Sequence, residues 1–189
     1  MSAFAGRVVV VTGASEGIGR AFCRAVAPQR PKLVLAARAR ERLDSLAREC
    51  EADGAQTLVV PTDVTDEAAC RDLIETTVRH FGALDVLVNN AGGTMWTRLD
   101  EIVDTSIFER LMRLNYLAAV RITLALLPAM VRNGGGHVVN ISSIGVLSNA
   151  PRFSAYVSSK AALDAFSRCA VAEFSDSGID FTTINMPLV

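Results

Sequence analysis

The sequence is poor in the features that settle a function by composition. It has two histidines, His80 and His137, too few and too far apart for a convincing zinc site. Its four cysteines, Cys23, Cys50, Cys70 and Cys169, form no C-x-x-C pair. Each falls in a stretch with helical patterning, so they read as small buried apolar residues. Neither sign of charge is in excess: 19 basic and 20 acidic residues leave a net charge of −1. Bulk charge therefore drives no binding to nucleic acid or to an anionic membrane. No apolar run reaches the ~18 residues of a membrane span. The chain opens on Met1-Ser2-Ala3-Phe4-Ala5-Gly6-Arg7, without a basic region followed by an apolar signal core. That start predicts a cytoplasmic rather than an exported protein.

What is present is a globular balance. Half of the 189 residues are apolar and 21% are charged, too hydrophobic for a disordered chain and about right for one domain. Short apolar runs alternate with amphipathic stretches. Arg7–Val11, Leu33–Ala37, Thr57–Val60, Leu84–Val88, His137–Ile141 and Asp180–Asn185 read as strands, apolar nearly throughout. Helical patterns fill the intervals: Gly17 to Ala27, Glu41–Ala52, a stretch from Thr65 to about Phe81, Thr105 to about Val131, and Ser154–Phe174. Thr65, followed by Asp66 and Glu67, is the expected N-cap of the third helix. Pro128 is expected to kink the last turn of the fourth. The order β-α-β-α-β-α-β-α-β-α-β predicts an α/β domain, a Rossmann-like doubly wound parallel sheet with helices on both faces.

The first strand runs into Thr12-Gly13-Ala14-Ser15-Glu16-Gly17-Ile18-Gly19. A Gly-rich turn between the first strand and the first helix suits a pyrophosphate. Gly13 permits the tight turn, Gly17 the close approach of backbone to phosphate, and Gly19 the packing of helix on strand. The helix N-terminus then faces negative charge.

The spacing T-G-x-x-x-G-x-G resembles that of the short-chain dehydrogenase/reductase family rather than the common G-x-G-x-x-G. Further segments match that family in order: Asn89-Asn90-Ala91-Gly92 after the fourth strand, Asn115 in the long helix, Ser143 after the fifth strand, and Tyr156-Val157-Ser158-Ser159-Lys160. Ser143 stands thirteen residues before Tyr156, the family spacing. The resemblance covers essentially the whole chain and fits the compact, single-domain branch. Tyr156 and Lys160, four apart on a helix, share a face. A free tyrosine, with a pKa near ~10, is a poor base at neutral pH. A neighbouring ammonium favours its phenolate, so Tyr156 can serve as acid or base at a carbonyl or alcohol oxygen. Ser143 would bond the same oxygen.

The resemblance also implies that Lys160 grips the nicotinamide ribose and that Asn115 disturbs its helix locally and supports a proton relay behind Lys160. It places Ser15, Glu16, Gly17 and Ile18 in the phosphate loop and Asp63 and Val64 beside the adenine. It makes Asn89, Ala91 and Gly92 a floor facing the cofactor, with Asn89 also bracing the central strand. The activity implied is hydride transfer between a nicotinamide nucleotide and a carbonyl or alcohol, with a homodimer or homotetramer built on the two long helices. An NADP(H)-binding sensor or scaffold without turnover is the alternative.

The second strand ends Leu35-Ala36-Ala37-Arg38, with Ala37 where NAD-preferring relatives carry Asp. Arg38 can pair with a 2′-phosphate, which favours NADP(H) over NAD(H). Against this, Arg38, Arg40 and Arg42 could be a solvated helix start, and Glu16 stands where many NADP-preferring relatives carry a basic residue. The loops Gly93-Thr94-Met95-Trp96, Val146-Leu147 and Met186-Pro187-Leu188 are largely apolar and follow strand ends, where ligands bind in such sheets. A hydrophobic carbonyl or alcohol substrate is expected. Asn185-Met186-Pro187-Leu188-Val189 departs from the family's usual Pro-Gly and resembles reductase domains acting on long-chain acyl groups. Compact members of the family run to roughly 250 residues, an ordinary domain size. The resemblance therefore implies that residues 1–189 form one NAD(P)-binding domain lacking its C-terminal substrate lid and a seventh strand.

Overall fold

The computed structural model describes residues 3–187. Its order is β1 (Val8–Thr12), α1 (Gly17–Val26), β2 (Lys32–Ala37), α2 (Arg40–Ala52), β3 (Gln56–Pro61), α3 (Glu67–Phe81) and β4 (Val86–Asn89). There follow α4 (Ser106–Met112), a π-helical turn (Arg113–Leu117), α5 (Ala118–Arg132), β5 (Gly136–Ser143), a single turn α6 (Gly145–Ser148), α7 (Ser154–Glu173) and β6 (Ile179–Met186). The six strands form one parallel sheet in the order β3-β2-β1-β4-β5-β6, the doubly wound arrangement that the alternation predicts.

Alternation along β1 divides the core. Val8 and Val10 point into a layer with Leu73 and Ile74 of α3 and Ile122, Leu126 and Met130 of α5. Val9 and Val11 point into the opposite layer, with Cys23 and Val26 of α1 and Leu43, Leu46 and Cys50 of α2. All five β1 residues are buried, so the strand reads as a continuous valine run. Helix α7 lies on the α3/α5 side, where Asn140 of β5 donates to its Ser167 at 2.8 Å. The other side is covered over β1–β3 but leaves an apolar groove of about 520 Å³ over β4–β6, lined by Phe22, Val88, Val139, Ile141, Ile184 and Met186.

Four local expectations need correction. Asp66, not Thr65, caps α3: its Oδ1 accepts from the backbone N–H groups of Ala68 (2.8 Å) and Ala69 (3.3 Å), while the Thr65 hydroxyl donates to Asp63 (2.8 Å). The long helix is interrupted at the π turn, not at Pro128, which lies inside α5 as it runs on to Arg132. Cys23, Cys50 and Cys70 are buried, but Cys169 is exposed on α7. The stretch Ser106–Arg132 is long and apolar enough, by length and mean hydropathy, to cross a membrane. Here it is a core element, because Ile122, Leu126 and Met130 are buried against the sheet. Leu188, the last member of the third apolar loop, lies outside the described residues.

Candidate active site

The sheet order reverses between β1 and β4, and a crevice opens beyond their C-terminal ends. The phosphate-type loop lies there. Gly13 holds φ +66, and a Cβ on it would sit 2.9 Å from Ala91 Cα. Gly19 is packed harder: a Cβ would meet both the Gly13 carbonyl oxygen and Asn90 Nδ2 at 2.5 Å. Gly17, at φ +56, faces open space, with nothing within 4 Å of where a Cβ would stand. Glu16 is the N-cap of α1 but makes no side-chain cap bond. Its carboxylate instead pairs with Arg42 at the start of α2. The first-turn N–H groups of α1 are therefore left for an acceptor outside the chain.

Two residues join this loop to β4. Thr12 Oγ1 accepts from the backbone N–H groups of Asn90 and Ala91, both at 3.0 Å. The Asn90 side chain donates back to the carbonyls of Thr12 (2.9 Å) and Gly13 (3.2 Å). Asn89 turns the other way. It is buried and donates to Thr123 of α5 (3.2 Å) and to Asn140 of β5 (2.8 Å), so its side chain braces the central strands.

The catalytic-type residues converge at the ends of β4 and β5. Asn115, in the π turn, pairs with the Gly93 backbone in both directions. Its Oδ1 accepts from the Gly93 N–H at 2.9 Å, and its Nδ2 donates to the Gly93 carbonyl at 2.9 Å. The same Nδ2 reaches Ser159 Oγ at 2.9 Å, and Ser159 donates to the Tyr156 carbonyl at 2.6 Å. One amide thus ties the loop after β4 to the first turns of α7. The expected local disturbance of the helix is present as a π turn centred on Asn115, with the Ala118 N–H bonded to the Arg113 carbonyl.

Lys160 is 4% exposed, and its Nζ donates to the Ile141 carbonyl at 2.7 Å. A Cβ on Gly92 would lie 3.0 Å from Asn115 Oδ1 and 3.5 Å from Lys160 Nζ, so glycine admits both groups to one corner. Burial pushes the Lys160 ammonium down to about 8, partly offset by Asp164 one turn along α7. Ser143 ends β5, and its Oγ accepts from the Gly145 N–H at 3.0 Å. That contact uses a lone pair and leaves the hydroxyl proton for another acceptor. Tyr156 packs with Ile107, Leu111 and Ala155, its ring 6.2 Å from that of Phe153.

On the nucleotide side, Asp63 accepts from the Thr65 N–H (2.9 Å) and hydroxyl (2.8 Å). These bonds, with a smaller contribution from Arg38, hold its carboxyl below the usual range. Val64 is buried in the α3/α5 layer. Arg40 and Arg42 are taken up by Asp44 and Glu16. Among the described residues Arg38 forms no ion pair, and its charge stands exposed at the end of β2. Around the crevice Met95, Trp96, Ile144 and Leu147 are exposed. Ala91 and Gly92 lie between the Gly13 turn and the Lys160 corner. Sequence reasoning assigned no role to Thr12 or Ser159. The only local signal was a hydroxyl residue at a strand end and another three residues after Tyr156, where it can bond back to the helix backbone. Among the described residues, no three His, Cys, Asp or Glu side chains cluster to hold a metal ion.

The family model for short chain dehydrogenases matches residues 7–189. A fatty acyl-CoA reductase of Acinetobacter baylyi is 45% identical over 185 residues, which cover 97% of this chain and 63% of that protein. A fatty acyl-CoA reductase of Mycobacterium tuberculosis is 39% identical over 186 residues, again 97% of this chain and 63% of that one. The chain thus spans under two thirds of the length of these relatives. Among solved structures, NAD+-bound xylitol dehydrogenase superposes with a TM-score of 0.93 at 27% identity, over 98% of this chain and 71% of that one. A short-chain type dehydrogenase/reductase from Mycobacterium ulcerans gives 0.93 at 27% identity, over 98% and 68%. Strand order, glycine turn, Asn115 knot and Tyr156–Lys160 pair agree with these likenesses, and the chain belongs to the short-chain dehydrogenase family.

Proposed function

We propose that this chain forms the nucleotide-binding and catalytic part of an NADP(H)-dependent oxidoreductase that interconverts a carbonyl and an alcohol on a long-chain acyl substrate. The observation that carries the reading is the meeting of Lys160, Asn115 and Gly92 at one corner, one helical turn from Tyr156 and at the end of the strand that presents Ser143. The residues fit a nicotinamide dinucleotide. Gly17 leaves an open cradle before an uncapped helix end for the pyrophosphate, and Asp63 and Val64 border the adenine position. Asn90, Ala91 and Gly92 form the floor, supported from behind by Asn89. Arg38, unpaired by any carboxylate, favours NADP(H) by offering a cation to a 2′-phosphate. When bound, the nucleotide supplies or takes the hydride.

The chain's own groups do the rest. Ser143 donates to the substrate oxygen and orients it. Tyr156 gives that oxygen a proton in reduction or removes one in oxidation. Lys160, held charged and immobile by the Ile141 carbonyl, favours the phenolate and anchors the ribose. Asn115 fixes the loop after β4 against α7 and supports proton supply behind Lys160. Met95, Trp96, Ile144 and Leu147 give the crevice an apolar rim suited to an alkyl chain. The likeness to fatty acyl-CoA reductases supports the acyl substrate. The bare groove over β4–β6 suits a covering segment that completes the substrate lid, with a seventh strand beside β6. Leu117, Leu124, Val131 and Val171, exposed on α5, α7 and the π turn, suit a homodimer face.

The test uses the full-length protein. NADPH and NADH oxidation are compared over short and long aliphatic aldehydes and ketones, for wild type and Tyr156→Phe. The reading requires NADPH preference, faster turnover of long chains, and a loss in the variant of about 10²- to 10⁴-fold. Equal rates for wild type and variant would remove the acid/base role.

A further inference from the structure

Four buried polar atoms have no hydrogen-bond partner among the described residues: Asn89 Oδ1, Ser142 Oγ, Asp164 Oδ1 and Asn185 Oδ1. All four belong to one layer. Asn89 points to Thr123 of α5 and to Asn140. Ser142 lies two residues beyond Asn140 on β5, hence on the same face, and Asn185 of β6 is its register partner. Asp164 is 6% exposed on α7, the helix that packs over β5 and β6. It shares a helix face with Lys160, four residues earlier. Here a buried carboxylate with an orphan oxygen stands next to a buried ammonium. Burying such a carboxylate is costly unless a cation offsets it.

The other charged groups around α7 are remote or solvated. Glu109 and Arg110 on α4, Arg113 in the π turn, and Arg168 on α7 itself are exposed. His137 of β5 and Asp180 of β6 sit at the opposite ends of their strands from Lys160's partner Ile141. Tyr116 of the π turn packs on Phe166. Tyr156 is the remaining titratable neighbour on α7, and α6 carries none.

We infer that Asp164 is a positioning residue: its carboxylate keeps the Lys160 ammonium charged and in place inside this layer, and so sets the upper pH limit of the Tyr156–Lys160 pair. This rests on the functional reading above. The direction is consistent with electrostatics, since Asp164 raises a lysine that burial brings down to about 8. Removing the carboxylate lowers Lys160 further, and the ammonium is lost closer to neutral pH.

The experiment uses the full-length protein with NADPH and two readouts. One is the pH profile of kcat/KM. The other is an NMR titration of the lysine side chains, with the Lys160 signal assigned by its loss in Lys160→Met. In Asp164→Asn the alkaline limb and the Lys160 midpoint move down together by about one unit or more, the usual size for losing a close opposite charge. A one-unit shift costs about fivefold in activity at pH 8 from the change in charged fraction. KM for substrate stays near wild type, and Asp164→Glu restores both readouts. Asp164→Ser serves in the same way if the Asn variant does not fold. An unmoved Lys160 midpoint in the neutral variants overturns the inference. If Tyr156→Phe is as fast as wild type, the functional reading fails by itself, and the lysine titration still decides the role of Asp164.

Discussion

Replacing Gly19 by alanine tests the link between the glycine turn and nucleotide binding. The new methyl would lie 2.5 Å from both the Gly13 carbonyl oxygen and Asn90 Nδ2, about 0.8 Å inside normal contact, an overpacking of the kind that costs about 1–3 kcal/mol. The amide can retreat only by giving up its bonds to the Thr12 and Gly13 carbonyls, each worth roughly 0.5–1.5 kcal/mol. Alanine's better helix propensity returns up to about 1 kcal/mol. The net loss is about 2–4 kcal/mol, or roughly 5–15 °C in Tm for a domain of this size. Because the displaced atoms belong to the turn, NADPH affinity should fall more than tenfold. Thermal melts with and without nucleotide, and a fluorescence titration of NADPH, provide both readouts. Gly17→Ala is the matched control: it meets no atom, so its cost is the left-handed backbone, about 1–2 kcal/mol. It should weaken NADPH binding with a smaller fall in Tm. A Gly19→Ala protein that melts within 2 °C of wild type, an order-of-magnitude bound on one small contact, and binds NADPH normally would refute the packing argument.

Lys160 gives a second prediction. Below about pH 8 it is protonated in both folded and unfolded chains, and the folded chain bears its full desolvation. Between about 8 and the ordinary 10.5 the folded chain loses the proton first, so the unfolded state binds more protons and stability rises with pH. Wild type should gain about 2 kcal/mol on Lys160→Met between pH 7.5 and 10, measured by urea unfolding. Arg38→Ala should raise the Kd for NADPH about tenfold, the worth of one charge-assisted bond, and leave NADH unchanged by calorimetry. Asp66→Ala removes the cap of α3 and should cost about 1 kcal/mol, some 2–4 °C in Tm, without changing nucleotide affinity.

The strand runs and the glycine turn were legible because each has a local cause. Parallel strands covered on both faces must be apolar throughout, and a turn at φ +66 or +56 selects glycine. The Tyr156–Lys160 pair was legible from helix geometry. What failed had competing local solutions. Thr65 and Asp66 are both good caps, and Asp63 decided between them by engaging the Thr65 hydroxyl. Cys169 follows the helical pattern of α7 but lies on its exposed side, which no local signal marks. The roles of Thr12, Ser159 and Asp164 depend on partners far away in sequence or on burial by the sheet, and neither is visible before the chain is folded.

The π turn at Asn115 is in effect one residue more than a regular helix needs over the same span. Its consequence is a constraint on chain length. Deleting any one of residues 113–117 would let the helix run on regularly and turn everything after it by about 100° relative to α4. Ile122, Leu126 and Met130 would then rotate off the sheet while Ile107 and Leu111 stayed in place. This helix, which could absorb many substitutions on its outer face, has no tolerance for a single-residue deletion there.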